Sequence, residues 1–497
     1  MKMKHGGLLA AILVMTRATA CMGQTAASPG YNGPGTLKAG GVTVTGNLRL
    51  RTYGWDWFEP ASGGNTYGYG GSLLRVSFAQ SRKRLDWNVE LAAPFLLGLP
   101  TAATAAAPQG ALGLGSNYYT ANDNRRFAGM VFPKQAFLKF KGLGSYEASS
   151  LQVGRFEFNE GTELIPKNAS LAVLKASRIS QRLIGSFGWT DVGRSFDGGR
   201  YSWTKGQTDV TVVGALPTRG VFQTDGWGWN KSAFGYAALT RGWGGTKHAA
   251  DSRVFFIEYT DWRQGVLKTD NRAAAIRRGD LSNIRVETFG AHSLHSVTTS
   301  GGAIDLLGWV ALQTGEWGVQ KHRAYAVDAE AGFQPKVLPR VKPWLRGGFT
   351  ASSGDGNAAD GTHGTFFQVL PTPRPYARTP FFNMMNIHDA FGSLVLRPHA
   401  KVTLSTEFHS LRLANAQDLW YSGGGAFQPW TFGYAGRPTS GKRSLANLYD
   451  TSVEFRANKY TTLTGYFGYA QGLAAMRQIY PAGKNLMFGY LEALIRF

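Results

Sequence analysis

Arginines recur at alternate positions in stretches that read as β-strands, and that spacing is where chemistry enters this chain. In residues 42–51, Arg49 and Arg51 share a face with Thr43, Thr45 and Asn47, while Val42, Val44, Gly46, Leu48 and Leu50 share the other. If the apolar face meets lipid, a charge on it at mid-depth costs about 2–4 kcal/mol, so the arginines turn inward. The same parity places Arg75, Lys139, Arg200, Arg285, Lys342, Arg346, Arg397 and Arg456 on the inner face. Asp86, Glu90, Glu287, Asp328, Glu330, Glu407, Glu454 and Glu492 join them, so the interior is mixed in sign. Two readings fit this mixture. Either the charges are ion pairs filling a wide cylinder, or they form a constriction where forked guanidinium donors pass carboxylates along while acidic neighbours hold them in place. Arg49, Arg51 and Arg75 make the best predicted cluster.

Such strands must close on themselves. Gly489, Leu491, Ala493, Ile495 and Phe497 alternate with Tyr490, Glu492, Leu494 and Arg496, and the sequence ends on the aromatic. In hydrocarbon an open strand edge leaves N–H and C=O groups unsatisfied, so this last strand has to pair with the first. Alternation predicts strands at 42–51, 72–80, 84–94, 134–141, 149–158, 198–204, 207–216, 232–241, 252–262, 282–293, 303–314, 322–332, 341–350, 390–397, 400–412, 451–458, 460–470 and 486–497. That is an all-β chain forming a transmembrane antiparallel β-barrel of about 18 strands. The connections tend to alternate. Those at 53–71, 95–133, 159–197, 351–389 and 413–450 are long, and those at 81–83, 205–206, 398–399 and 459 are tight. Long extracellular loops and short periplasmic turns are strung in this way, and the brief connection at 315–321 is the exception. The loops 95–133, 159–197, 351–389 and 413–450 are expected to fold in or over the pore. A soluble propeller or β-helix needs a fixed repeat period, which the chain lacks.

Composition agrees with a barrel. The 497 residues include 65 glycines and 13% aromatics, with a mean hydropathy of -0.20. No run of about 18 apolar residues offers a spanning helix. Lys2 and Lys4, the apolar run Leu8 to Met15 and small residues around Ala18 to Ala20 predict a signal peptide over 1–23, followed by a lead-in at 24–41 and the barrel at 42–497. Cys21 is the single cysteine, which excludes an intrachain disulfide; it is either a lipidation site or a thiol without a role. The formal net charge is +22; removing Lys2, Lys4 and Arg17 leaves 22 − 3 = +19. That excess favours anionic partners, whether lipopolysaccharide, an acidic polysaccharide or small organic anions. Nucleic acid is a poor fit for an exported chain with no basic helix or recognised binding motif.

Catalytic signatures are missing. There is no HExxH, no Gly-x-Ser-x-Gly and no phosphate-cradling glycine loop, so the chain does not read as an enzyme. His388 and His409 lie near acidic residues, an arrangement that surface or lumen hydrogen bonding explains. Asp355, Asn357 and Asp360 have the spacing of oxygen ligands for a loop Ca2+ ion, or of a Gly/Asp/Asn turn. No other cofactor is expected.

Residues 179–201, "ISQRLIGSFGWTDVGRSFDGGRY", carry a resemblance. With Gly154-Arg155 before it, this stretch resembles the alginate export family of outer-membrane porins through Arg182-Leu183-Ile184-Gly185, Trp189 and Val192-Gly193-Arg194-Ser195-Phe196-Asp197. The segments "ASSGDGNAADG" at 351–361 and "DLWYSGGGAF" at 418–427 are similar too. Asp191 stands where the family often has Asn, and Phe156 and Asn159 interrupt its polar run. The resemblance implies an 18-stranded barrel in a bacterial outer membrane, with an arginine-rich pore that exports an acidic polysaccharide. Arg155 shares parity with Leu151 and Val153, so it points inward only if Gly154 bulges or the strand has ended. Arg194 and Asp197 are expected as a pair near the outer mouth. The combined expectation is a monomeric, passive outer-membrane channel of a Gram-negative-type bacterium, with periplasmic export partners. Its pore-lining set is Arg49, Arg51, Arg75, Arg155, Arg194, Asp197, Arg200, Arg285, Arg346, Arg456 and Glu454. A general or small-anion porin, and an outer-membrane enzyme acting on polysaccharide, are the alternatives.

Overall fold

The computed structural model describes residues 36–144, 146–372 and 378–497. The segment read as a signal peptide, Cys21 and most of the lead-in lie outside these residues. Eighteen antiparallel strands close a barrel, from Val42–Asp56 to Asn485–Arg496, and these two pair with each other over ten residues of register from Asn47↔Arg496 to Asp56↔Met487. Every stretch predicted from alternation falls on one of the wall strands. Several strands run further than alternation suggests: Gly302–Trp317 and Gln320–Pro335 are 16 residues each. Beyond the apolar band their outward residues become polar, so the lipid signature fades while the ladder continues. Between them Gly318, at φ +64, makes the tight turn that the brief 315–321 connection required.

The barrel is inverted relative to a soluble protein. Its outward face exposes Phe95, Leu239, Phe289, Leu312 and Leu491, while an apolar core fills the long-loop half of the interior. In that core Phe58 packs against Phe381, Trp420 and Tyr480, and Phe367 against Trp317, Tyr259, Phe427 and Phe432. Most of these rings come from the long loops. Within them Leu419–Gly423 and Tyr434–Pro438 form a small hairpin, and Leu114–Ala121, Ala169–Leu174 and Ala474–Ile479 form short helices. None of these was predicted, because segments this short in Gly-rich loops show too few turns for a period to emerge. Asn168 caps the second helix, its side chain accepting from the Leu171 N–H.

Candidate functional site

Residues 157–195 leave the wall after Phe156, cross the interior and rejoin it at Phe196. Charge stitches this segment to the wall. Glu157 accepts from Arg75 at 2.8 Å, and Glu160 pairs with Arg253 at 2.5 Å. Further along, Lys175 meets Asp251 at 2.9 Å, Arg178 meets Glu330 at 2.8 Å, and Arg182 pairs with Asp328. Lys175 and Arg178 lie in the π-helical turn Lys175–Ile179, and Arg182 follows it after Gln181, whose φ of +67 turns the chain. Asp191 completes the seam: it lies 3.4 Å from Arg49 and accepts from the Tyr53 hydroxyl at 2.7 Å. Gly71 leaves room for it, since a Cβ there would overlap the Asp191 carboxylate.

This seam settles where the predicted residues lie. Arg49, Arg51 and Arg75 do face inward and do cluster, but they are only 3%, 3% and 6% exposed. Arg51 donates to Glu492, to Tyr53 Oη at 2.8 Å and to the Trp189 carbonyl at 2.9 Å, and Arg75 bridges Glu90 and Glu157. Arg346 likewise spans Asp305 and Glu330. Of the two sequence readings, ion pairing fits these four arginines. Buried charges of this kind persist only because each has its partner; removing one leaves the other uncompensated, at about 3–5 kcal/mol. Arg200 faces inward, half-buried, with its guanidinium over the Phe158 ring and a 3.1 Å bond to Ser202.

Three expectations need correction. Arg285 and Glu287 face outward, not inward: Arg285 pairs with Glu258 at 3.0 Å and Glu287 at 3.4 Å, while Ile284 and Val286 are buried inside. The parity rule inverts here because the strand end stands above the lipid band, where the outside is wet and the inside packs on folded loops. Arg155 also stays on the outer face. Gly154, at φ +120, does not change the pairing parity, so Arg155 lies opposite Asp197 and holds it through two bonds of 2.7 Å. Arg194 therefore does not pair with Asp197. It is buried and donates to the Gly425 carbonyl at 3.1 Å and the Pro371 carbonyl at 2.8 Å, tying three loops together.

Asp355, Asn357 and Asp360 each turn a side-chain oxygen to a backbone N–H two residues on, at 2.9, 3.1 and 2.8 Å. These bonds are those of successive Asx turns. Nearby, Asp418 accepts from the N–H groups of Asp355 and Leu419 and from the hydroxyls of Thr365 and Tyr421, all within 2.8 Å. Burial pushes its carboxyl up to about 6 even so. His409 lies 2.9 Å from Asp389 on one side and 3.5 Å from Glu407 on the other.

At the short-turn end the interior opens into a cavity of about 710 Å³. Among the described residues Lys336, Arg340, Lys342, Arg397, Lys401 and Arg456 line it, with Glu454 as the one carboxylate, and the helix Ala169–Leu174 contributes Ala169, Ser170 and Val173. Arg456 and Glu454 are thus the members of the predicted set that reach this cavity. Lys336 and Arg340 were missed because they lie in turns, where strand parity assigns no face; Lys401, in the predicted strand 400–412, shares the parity of Glu407 and was left out of the inward set. A run of cations across 336–342 was the available signal.

A closed barrel with an apolar outside and a loop-filled, ion-paired inside is the architecture of an outer-membrane channel. The alginate export family model matches residues 132–471, and the chain belongs to that family. No curated protein matches the chain. Among solved structures it is similar to Acinetobacter baumannii OccAB2, with a TM-score of 0.56, 8% identity, and coverage of 92% of this chain and 98% of that one. The outer membrane protein opdK from Pseudomonas aeruginosa gives a TM-score of 0.54 and 8% identity, covering 91% and 98%. Pseudomonas aeruginosa OccK2 (OpdF) in complex with glucuronate gives 0.54 and 8%, covering 94% and 99%. At these identities the likeness is one of fold.

Proposed function

We propose that this channel conducts an acidic polysaccharide passively, admitting it at the short-turn, periplasmic mouth. The observation that carries the reading is the cavity there, where six cations face one carboxylate around about 710 Å³. A concave basic mouth concentrates anions from solution, and forked guanidiniums exchange carboxylates without holding any one of them for long. The seam of residues 157–195 then defines how far a chain of uronates can proceed. Passage needs no bond to be made or broken. His409 is held between two carboxylates, Asp389 and Glu407, as a structural ion pair.

A channel for single carboxylate solutes is the second reading, supported by the fold neighbour solved with glucuronate. Conductance in a planar bilayer separates the two. With uronate oligomers added on the short-turn side, a polysaccharide path is blocked at concentrations at least tenfold below those of neutral glucans. Arg397→Ala/Arg456→Ala weakens that block. Equal block by both polymers would overturn the reading in favour of a small-anion channel, and release of shortened oligomers would instead mark an enzyme.

A further inference from the structure

The outer wall carries a second charged feature, unrelated to the interior. On four consecutive strands, His248–Asp261, Ile284–Thr298, Gly302–Trp317 and Gln320–Pro335, the long-loop ends project charges outward. Arg285 lies opposite Glu316, and Glu316 opposite Lys321; Glu287 lies opposite Glu258 and Thr314, and Thr314 opposite Arg323. Arg285 is shared between Glu258 and Glu287 and stays 55% exposed. Among the described residues Glu316, Lys321 and Arg323 make no ion pair, although the register sets Glu316 and Lys321 side by side. Toward mid-wall the next outward side chains are Phe289, Leu312 and Tyr325, each about half exposed. The charges therefore stand immediately above the lipid band, at the level of headgroup phosphates. On the strand pair that closes the barrel, Gly54 and Asp56 face Gly489 and Met487 at the corresponding end.

We propose that this ladder docks a lipid headgroup bearing phosphates on a disaccharide, the chemistry of lipopolysaccharide in the outer leaflet. Lys321, Arg323 and Arg285 supply donors for phosphate oxygens, and an arginine fork suits them. Glu287 and Glu316 hold a divalent cation shared with a phosphate, which explains why acids are interleaved with bases on a surface meant for an anion. Width selects the headgroup. Two inter-strand steps, from the strand of Arg285 to that of Lys321 and Arg323, span about 10 Å. A headgroup phosphorylated at both ends of a disaccharide reaches across such a span, and a single glycerophospholipid phosphate does not.

The full chain, folded in detergent, is titrated with bisphosphorylated lipid A, with the dephosphorylated lipid and with phosphatidylglycerol, and retained lipid is read by native mass spectrometry. The bisphosphorylated lipid is expected to bind at least tenfold tighter than the other two. Lys321→Ala/Arg323→Ala should remove that preference while keeping the heat-modifiable folded band, and a chelator should weaken binding to the native chain but not to Glu287→Gln/Glu316→Gln. Lys83→Ala/Arg84→Ala, at the opposite rim, should bind as the native chain does. No preference for the bisphosphorylated lipid, or a preference that survives Lys321→Ala/Arg323→Ala, overturns the proposal. Chelator-insensitive binding overturns the cation bridge.

Discussion

Gly46 and Phe497 exchange two backbone hydrogen bonds, Gly46 N–H to the Phe497 carbonyl at 2.6 Å and Phe497 N–H to the Gly46 carbonyl at 2.9 Å, and the Phe497 ring occupies the space a side chain at residue 46 would need. The terminal aromatic is thus seated on the first strand at the seam where the barrel closes. Gly46→Val would force the ring off its seat, at a cost of about 1–3 kcal/mol, typical of overpacking. We expect a lower folded yield on gels that resolve folded from heated barrel, with Gly46→Ala intermediate. A normal yield for Gly46→Val would show that closure does not depend on this contact.

The interior seam makes a different prediction. Arg182 is fully buried against Asp328, and Arg178 against Glu330. Arg182→Met leaves Asp328 without that partner and should destabilise the barrel by about 3–5 kcal/mol, whereas Arg182→Met/Asp328→Leu should recover most of the loss. Because residues 157–195 are held by such pairs, the single variant should also raise single-channel conductance. Unchanged melting and conductance in Arg182→Met would mean that the seam does not hold the segment in place.

Ion selectivity tests the basic mouth without any polymer. Neutralising two of six cations in Arg397→Ala/Arg456→Ala should shift the reversal potential in a salt gradient toward zero, and the shift should shrink as ionic strength rises and the Debye length falls below about 10 Å. Glu454→Gln should move it the other way, toward stronger anion preference. A reversal potential that ignores all three residues would place the selectivity step elsewhere along the path.

The Asp418 hub gives a pH dependence of known sign. Burial raises its folded-state pKa to about 6, above the unfolded value of about 3.9, so between these values the folded chain binds the proton more tightly. The contribution to stability is fully present below about pH 3.9 and is lost as pH rises through about 6, an amount on the order of 2–3 kcal/mol. Asp418→Asn removes the titration. The melting temperature of the native chain relative to Asp418→Asn should therefore fall between pH 4.5 and 7.5, and a difference that stays flat would contradict the assignment.

Much of this protein is legible strand by strand. Hydrocarbon acts locally on each wall segment, rejecting charge from one face with a period of two, so alternation was enough to find every wall strand and to turn Arg49, Arg51, Arg75 and Arg346 inward. The terminal alternation of 489–497 likewise announced closure, because an open edge in lipid has no partner to satisfy it. The rule reached as far as the lipid did. At Arg285 the strand had risen above the bilayer, and the same parity then assigned the wrong face.

What lies inside the barrel was decided by tertiary structure alone. Arg49 finds Asp191 at a separation of 142 residues and Arg182 finds Asp328 at 146, and no local pattern marks such partners. Arg194 was expected beside Asp197, three residues on, but it caps the carbonyls of two distant loops. Sequence determines the wall because a bilayer imposes one demand on every strand. Only the folded chain determines which inward charges meet water and which meet each other, because that depends on where the long loops come to rest.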